Sequence, residues 1–322
     1  MILQKLLDDF GITEISINNY RNIWVEKDGI LGPSDIHFES EHQYYLFVKE
    51  ICRDLNADVS LLRPFISGKW RDFRVHIASD HISQNHFIIS LRRIKTKSWT
   101  LEDFVENNFL KPNELISLQK IIREKKNILV VGPTGSGKTS FMGAILNSLP
   151  HNERCLILED TNELHIPNDS SVKLVSYDEE QELVKSVHLN DLVKESLRMR
   201  PDRLIVGEIR GAEAKDLLLA LSTGHSGSIG TLHANSASEA LLRLEMLIQI
   251  GAPQWSLETI RRLLFLTVQI IVVVNKSEHG LRQLNSISKV HSLENFGLVI
   301  EPYEFNTFPN SNKWDGSGRS AF

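Results

Sequence analysis

Residues 132–139 read Gly-Pro-Thr-Gly-Ser-Gly-Lys-Thr, the pattern G-x-x-x-x-G-K-[ST], and they lie between the apolar run NILVV and the helical run SFMGAIL. Backbone amides converge on a phosphate only where side chains leave room and a helix N-terminus adds partial positive charge. The octapeptide therefore commits the chain to strand, tight loop and helix in that order. Gly132, Gly135 and Gly137 let the backbone approach, Pro133, Thr134 and Ser136 fill the loop, and Lys138 would neutralise β and γ oxygens. Thr139 would offer its hydroxyl to Mg²⁺, with Ser140 next to it in the first helical turn. Lys138 is expected to face solvent while the site is empty. Kinases, GTPases and ATP motors share such a loop, so it does not name a reaction.

The flanking sequence sets the fold class. From Asn113 onward, apolar runs at Ile128–Val131, Leu156–Leu158, Leu204–Val206 and Ile270–Val274 are separated by amphipathic stretches. That alternation predicts an α/β domain on a mostly parallel buried sheet around the phosphate loop. The first hundred residues instead place short β-rich runs (Ile12–Asn18, Asn22–Val25, Phe73–Ile77, Phe87–Ile94) around one helical pattern near Tyr44–Leu55. A smaller α+β domain is expected there. Thr100 and Asp103 read as a capping box opening a short helix. The resulting division is an amino-terminal domain at 1–98, a linker at 99–112, the ATPase domain at 113–304 and a mobile tail at 305–322, which is poor in apolar residues.

Two strand ends carry acids. Leu204-Ile205-Val206-Gly207-Glu208 puts Glu208 where a metal-side carboxylate belongs, and Glu159 follows CLIL at the start of an acidic cluster, where a base that orients water would sit. His225 and His233 stand eight residues apart, and a neutral imidazole can report a γ-phosphate. The two histidines with an acid invite a metal reading, but no second acidic or cysteine ligand lies at normal zinc spacing, which sets structural zinc aside.

With 322 residues and 41% hydrophobic content, two cored domains are affordable. A net charge of -5 gives no general attraction for nucleic acid, and Cys52 and Cys155 are too few for a disulfide framework and read as buried thiols. The longest apolar run, Leu263–Val274, is too short to span a bilayer and is broken by Gln269. A cytoplasmic protein without direct membrane insertion is expected.

Four blocks in order, GPTGSGKT, LEDTNEL, SLRMRPDRLIVGEIRGAEA and TGHSGSIGTLHANS, resemble the hexameric secretion and pilus ATPases of type II and type IV systems. With DLLLAL, ALLRLE and ISLRRI they cover most of residues 10–290. The run from DLVKESLRMRPDR to HANSASEALLRLE is most similar to the tight-adherence pilus ATPases, with conjugation-type secretion ATPases second. The chain departs from the tight-adherence pattern in having little sequence before its first strand.

The resemblance implies a RecA-like P-loop core in the carboxyl-terminal domain, ATP and Mg²⁺ held between it and the amino-terminal domain, and a homo-hexamer working with inner-membrane platform proteins of a pilus or secretion machine. It implies Lys138 and Thr139 as the phosphate-loop pair, Glu159 as general base, Glu208 on the metal, and His225 and His233 as the histidine box. Arg74 in FRVHI and Arg92 in ISLRRI match two amino-terminal arginines that close over the phosphates. Arg71, Arg93, Arg198, Arg200 and Arg203 stay open between solvated face and function. A nucleotide-gated scaffold and a DNA-handling RecA-like ATPase are the competing readings.

Overall fold

The computed structural model describes all residues except 1–2, 84–85, 95–98, 178–185, 278–279, 295–296 and 305–322. The expected tail at 305–322 thus lies outside the described residues. The chain divides into two compact units, Met1–Lys97 with Ser277–Leu281, and Ser98–Lys276 with Arg282–Phe322.

The first unit contains α1 (Gln4–Asp8), β1 (Ile12–Ile17), β2 (Ile23–Lys27), β3 (Ile30–Pro33), α2 (Glu41–Asp54), β4 (Phe65–Trp70), β5 (Phe73–Ala78) and β6 (Ile88–Arg93). Its six strands form an antiparallel sheet in the order β3-β2-β1-β6-β5-β4. Period-two alternation splits the sheet's faces. Ile15, Ile17, Val75, Ile77, Ile89 and Leu91 turn into a core with Tyr44, Phe47, Val48 and Ile51 of α2. Ser40 caps α2 by accepting the Gln43 N–H. The alternate positions carry Glu14, Arg92 and Arg74 in one cross-strand row, Glu14 opposite Arg92 and Arg92 opposite Arg74.

Two of the undecided arginines are structural here. Arg93 donates from Nε to Ile12 O at 2.8 Å and from Nη2 to Leu7 O and Asp9 O, with its guanidinium 4.4 Å from the Phe73 ring centre. Arg71 pairs with Glu50 at 3.1 Å over the Trp70 ring.

The second unit runs α3 (Leu101–Glu106), α4 (Pro112–Arg123), β7 (Ile128–Val131), α5 (Lys138–Asn147), β8 (Cys155–Glu159), β9 (Val172–Val175), α6 (Leu189–Ser196), β10 (Arg203–Val206), α7 (Glu213–Ser222) and β11 (Ile229–Leu232). It continues with α8 (Ala237–Gly251), α9 (Leu257–Thr267), β12 (Ile270–Lys276), β13 (Arg282–Glu294) and β14 (Gly297–Pro302). The sheet order is β14-β13-β12-β7-β11-β10-β8-β9, with parallel pairing from β12 to β9 and an antiparallel hairpin pair at the other edge. This is the expected RecA-like α/β core.

Because helices cover both faces, the central strands β7, β10 and β11 are buried at every position, and β7 reads as an unbroken apolar run. Leu129, Val131, Leu156, Leu158, Leu204 and Val206 face α6 to α9. Ile128, Val130, Cys155, Ile157, Ile205 and Ile229 face α3, α4 and α5. Thr100 forms the predicted capping box, its side chain accepting Asp103 N–H while Asp103 accepts Thr100 N–H.

The expected linker is corrected. Within 99–112, Leu101, Phe104, Phe109 and Leu110 are buried in one cluster with Phe141 and Leu118. Phe104 and Phe109 meet edge to face with ring centres 4.6 Å apart, and each lies 5.6 Å from the Phe141 ring centre. The segment is core, because three aromatic rings remove too much apolar area from water to be left hanging.

Candidate active site

Parallel strands end on one side, so β7, β8, β10 and β11 deliver their following residues to the same edge of the sheet. Register brings Val131 beside Leu232 and Leu158 beside Val206, which lines up Gly132, His233, Glu159 and Gly207. Hydrogen bonds continue past the strands, from Gly207 N–H to Leu158 O and from Ile209 N–H to Thr231 O, both at 2.8 Å.

The loop has the backbone that its glycines predict. Gly135 and Gly137 take φ of +73° and +95°, and Gly137, which has no side chain to cap with, is the cap residue of α5. A Cβ on Gly132 would meet Val274 O at 2.3 Å and Ser136 Oγ at 2.7 Å. Backbone amides at an uncapped helix N-terminus, with alternating glycine conformations before it, form an anion cradle. The residues present therefore fit a nucleotide's phosphates.

Lys138 is not solvent-facing as expected; its residue is 8% exposed. Its ammonium donates to Gly132 O at 2.8 Å and Pro133 O at 3.0 Å, and approaches His233 Nδ1 at 3.1 Å. An ammonium has only donors and solvent is scarce here, so the loop's own carbonyls serve as its acceptors. His233 Nε2 in turn lies 2.6 Å from Glu208 Oε1, and Arg210 pairs with Glu208 Oε2. The lysine claims Nδ1 as acceptor, which leaves the imidazole proton on Nε2, facing Glu208. Burial first, and then the Lys138 charge, push the His233 pKa below its ordinary value while Glu208 opposes, so the neutral ring is favoured.

Glu159 ends β8 and is 2% exposed. Its carboxylate accepts N–H bonds from Leu164 at 3.0 Å and Glu163 at 3.2 Å, and Lys173 lies 3.6 Å away. Burial raises its pKa, with the Leu164 amide and Lys173 opposing. A raised carboxylate pKa suits a proton acceptor. Gly207 makes room for it, since a Cβ there would stand 3.0 Å from Glu159 Cγ.

The structure does not bring His225 into this cluster. His225 precedes β11 and His233 follows it, so the strand's full length separates them. His225 sits at the amino end of the sheet, with Nδ1 3.0 Å from Ala220 O. Equal spacing in sequence concealed opposite ends of one strand. Arg203 is likewise structural, 1% exposed and bonded to Glu153, Gly227 O and Ile122 O at that same amino end. Arg74 and Arg92 belong to the first unit, side by side on its polar sheet face.

Sequence reasoning missed Arg210, Lys173 and Arg282. Arg282 opens β13 and donates from Nε to Gly135 O at 2.8 Å. Nothing in the linear pattern around 282 marks it, because a hairpin carries it back to a loop almost 150 residues earlier.

A family model for type II/IV secretion system proteins matches residues 60–290. The chain belongs to the type II/IV secretion system protein family. With the phosphate loop set on that fold, this family member is an ATPase. It is 30% identical over 300 residues to a putative conjugal transfer protein of Mycobacterium tuberculosis strain H37Rv, covering 91% of this chain and 85% of that one. It is 28% identical over 306 residues to type IV secretion system protein VirB11 of Brucella suis biovar 1, covering 86% and 84%. Among solved structures, the Legionella pneumophila ATPase DotB is similar with a TM-score of 0.61 at 21% identity, over 85% of this chain and 75% of that one. The pilus retraction motor PilT with bound ADP gives 0.62 at 20% identity, over 89% and 81%. These two structures support the fold. Of the two relatives described, one carries a conjugal transfer name and the other a type IV secretion name, which supports the conjugation-type affinity placed second in the sequence resemblance; the tight-adherence affinity stays a reading of the sequence.

Proposed function

We propose that this family member is one protomer of a homo-hexameric, Mg²⁺-dependent ATPase ring that powers pilus assembly or protein secretion. The observation that carries the reading is the contact chain Lys138, His233, Glu208, which joins the phosphate loop, β11 and β10 at the carboxyl edge of the sheet. The amides of residues 135–139 and the Lys138 ammonium would hold the β- and γ-phosphates, and Thr139 and Glu208 would hold Mg²⁺. The ion would supply charge neutralisation on the phosphate oxygens.

In this reading Glu159 orients and deprotonates the attacking water, its raised pKa helping it to take a proton. His233 gives up Nδ1 contact with Lys138 when the lysine turns to phosphate, so the ring links occupancy of the loop to Glu208. Arg92 and Arg74, adjacent on one sheet face of the amino-terminal unit, would add guanidinium charge as that unit closes, making closure part of the chemistry. Opening and closing would then work on inner-membrane platform proteins from the cytoplasmic side. Among the described residues, no helix is long and apolar enough to cross a membrane.

The test is turnover of ATP with Mg²⁺ by the wild-type chain and by Glu159→Gln, alongside solution mass with and without nucleotide. A six-protomer mass, with wild-type turnover at least 100-fold above the variant, is expected for loss of a general base. Equal and negligible rates in both would favour a nucleotide-gated scaffold.

A further inference from the structure

Two cations, Lys276 and Arg282, face each other across the β12–β13 ladder and both border the phosphate loop. A Cβ built on Gly135 would stand 4.0 Å from Lys276 Nζ, and one on Gly137 would stand 3.5 Å from Arg282 Cδ. Like charges directly opposite in a sheet are unfavourable, so their retention beside an anion cradle is informative. The contact with most consequence is the Arg282 Nε donation to Gly135 O at 2.8 Å.

In a planar trans peptide, the Gly135 carbonyl and the Ser136 N–H point in opposite directions. Holding one therefore aims the other. On its other side the same peptide is tied down by Ser136 N–H to Pro133 O at 3.3 Å, closing a turn. Turning that peptide changes ψ of Gly135, which has no Cβ to restrict it, and φ of Ser136. The glycine side of the joint offers little steric resistance, so contacts such as the Arg282 bond help to fix its orientation. A flip would put a carbonyl oxygen where the Ser136 N–H now stands, and to an anion on that side an attractive dipole would become repulsive.

We propose that Arg282 is a positioning residue for nucleotide binding: it pins the Gly135 carbonyl away from the phosphates and keeps the loop in its anion-accepting form. This rests on the reading of residues 132–139 as the nucleotide's phosphate site. The effect falls on the part of the ligand that ADP and ATP share, because the loop amides enclose the β-phosphate. A guanidinium that touched the γ-phosphate itself would act on the triphosphate alone.

Arg282→Met keeps the aliphatic stem over Gly137 and deletes the donor. In the full-length chain, affinities for ADP and for a non-hydrolysable ATP analogue are measured by calorimetry for wild type, Arg282→Met and Arg282→Lys, with a melting curve of each protein without nucleotide. We expect Arg282→Met to weaken both ligands about 10-fold, as expected for loss of a charged hydrogen bond, with Arg282→Lys recovering part of the loss. Unchanged affinity for ADP overturns the proposal, and so does a loss confined to the triphosphate analogue. Should Arg282→Met not fold, Arg282→Lys is read by the same criterion, an equal loss of about 3-fold or more for both ligands in support and unchanged ADP affinity against, since its donor sits on a differently shaped head. A wild-type chain that binds neither ligand would refute the phosphate site itself, and the proposal with it.

Discussion

Replacing Arg203 with Met should destabilise the second unit by about 3–5 kcal/mol, the usual cost of stranding one member of a buried ion pair. The residue opens β10 and is 1% exposed. Its guanidinium meets Glu153 Oε2, Gly227 O at 3.0 Å and Ile122 O at 3.1 Å, so one side chain joins α4 and the loops before β8 and β11. Met approximates the volume and leaves three acceptors without that donor. Glu153 keeps Lys125 at 2.9 Å, but Lys125 is 47% exposed and restores only part of the charge balance. The lower half of the range, about 3–4 kcal/mol, is therefore expected. For a unit of this size it corresponds to a drop in Tm of roughly 6–16 °C.

Scanning calorimetry and urea unfolding of the full chain, fitted as separate transitions, measure it, with exposed Arg200→Met as a control expected within about 0.5 kcal/mol of wild type. Burial raises the Glu153 pKa, but the Arg203 and Lys125 bonds outweigh it and hold the carboxyl below its ordinary value. A depressed acid stabilises above its unfolded pKa, and that contribution is lost as pH falls through the folded value, so Arg203→Met should also flatten the acid limb. A loss below about 1 kcal/mol would refute the idea that this arginine ties the amino end of the sheet together.

Lys138→Ala should abolish measurable ADP binding while a folded melting transition is retained; wild-type affinity in calorimetry would contradict the cradle assignment. It should also cost the empty protein about 1 kcal/mol, because Gly132 O loses its lysine donor. Arg92→Ala should lower kcat about 10²-fold with less than 3-fold change in nucleotide affinity, the signature of charge complementarity realised in the transition state, seen by single-turnover kinetics. His233, faced by Lys138, Glu208, Arg210 and Arg243, has a depressed pKa, so its contribution is present above the ordinary imidazole pKa near ~6.5 and lost as pH falls through the folded value. The stability of wild type minus that of His233→Gln should therefore decline below about pH 6.5, by at most ~1.4 kcal/mol per pH unit, and a flat difference would argue against a neutral ring in the folded state.

The sequence made the core legible wherever a local rule was strong. The phosphate loop follows from glycine conformations and the strand and helix beside it, and the runs at Ile128–Val131 and Ile270–Val274 announce strands buried on both faces. β11 stayed hidden because Ile229-Gly230-Thr231-Leu232 is short and carries a glycine and a threonine, so it read as a gap between two histidines. The strands β13 and β14 were missed because β13 is buried at only a few positions and β14 is half buried on both faces, so neither shows a clean apolar alternation.

Amino-acid order alone determined which backbone could cradle a phosphate and that Glu159 and Glu208 stand at strand ends, because these depend on neighbours a few residues apart. Only the tertiary structure decided which polar groups meet. It put His233 between Lys138 and Glu208, sent His225 to the other end of the sheet, buried Arg203 and returned Arg282 to Gly135. Side-chain pairing is set by strand order and register, and those are fixed by burying two apolar faces at once, a condition on the whole chain that no short stretch of residues expresses.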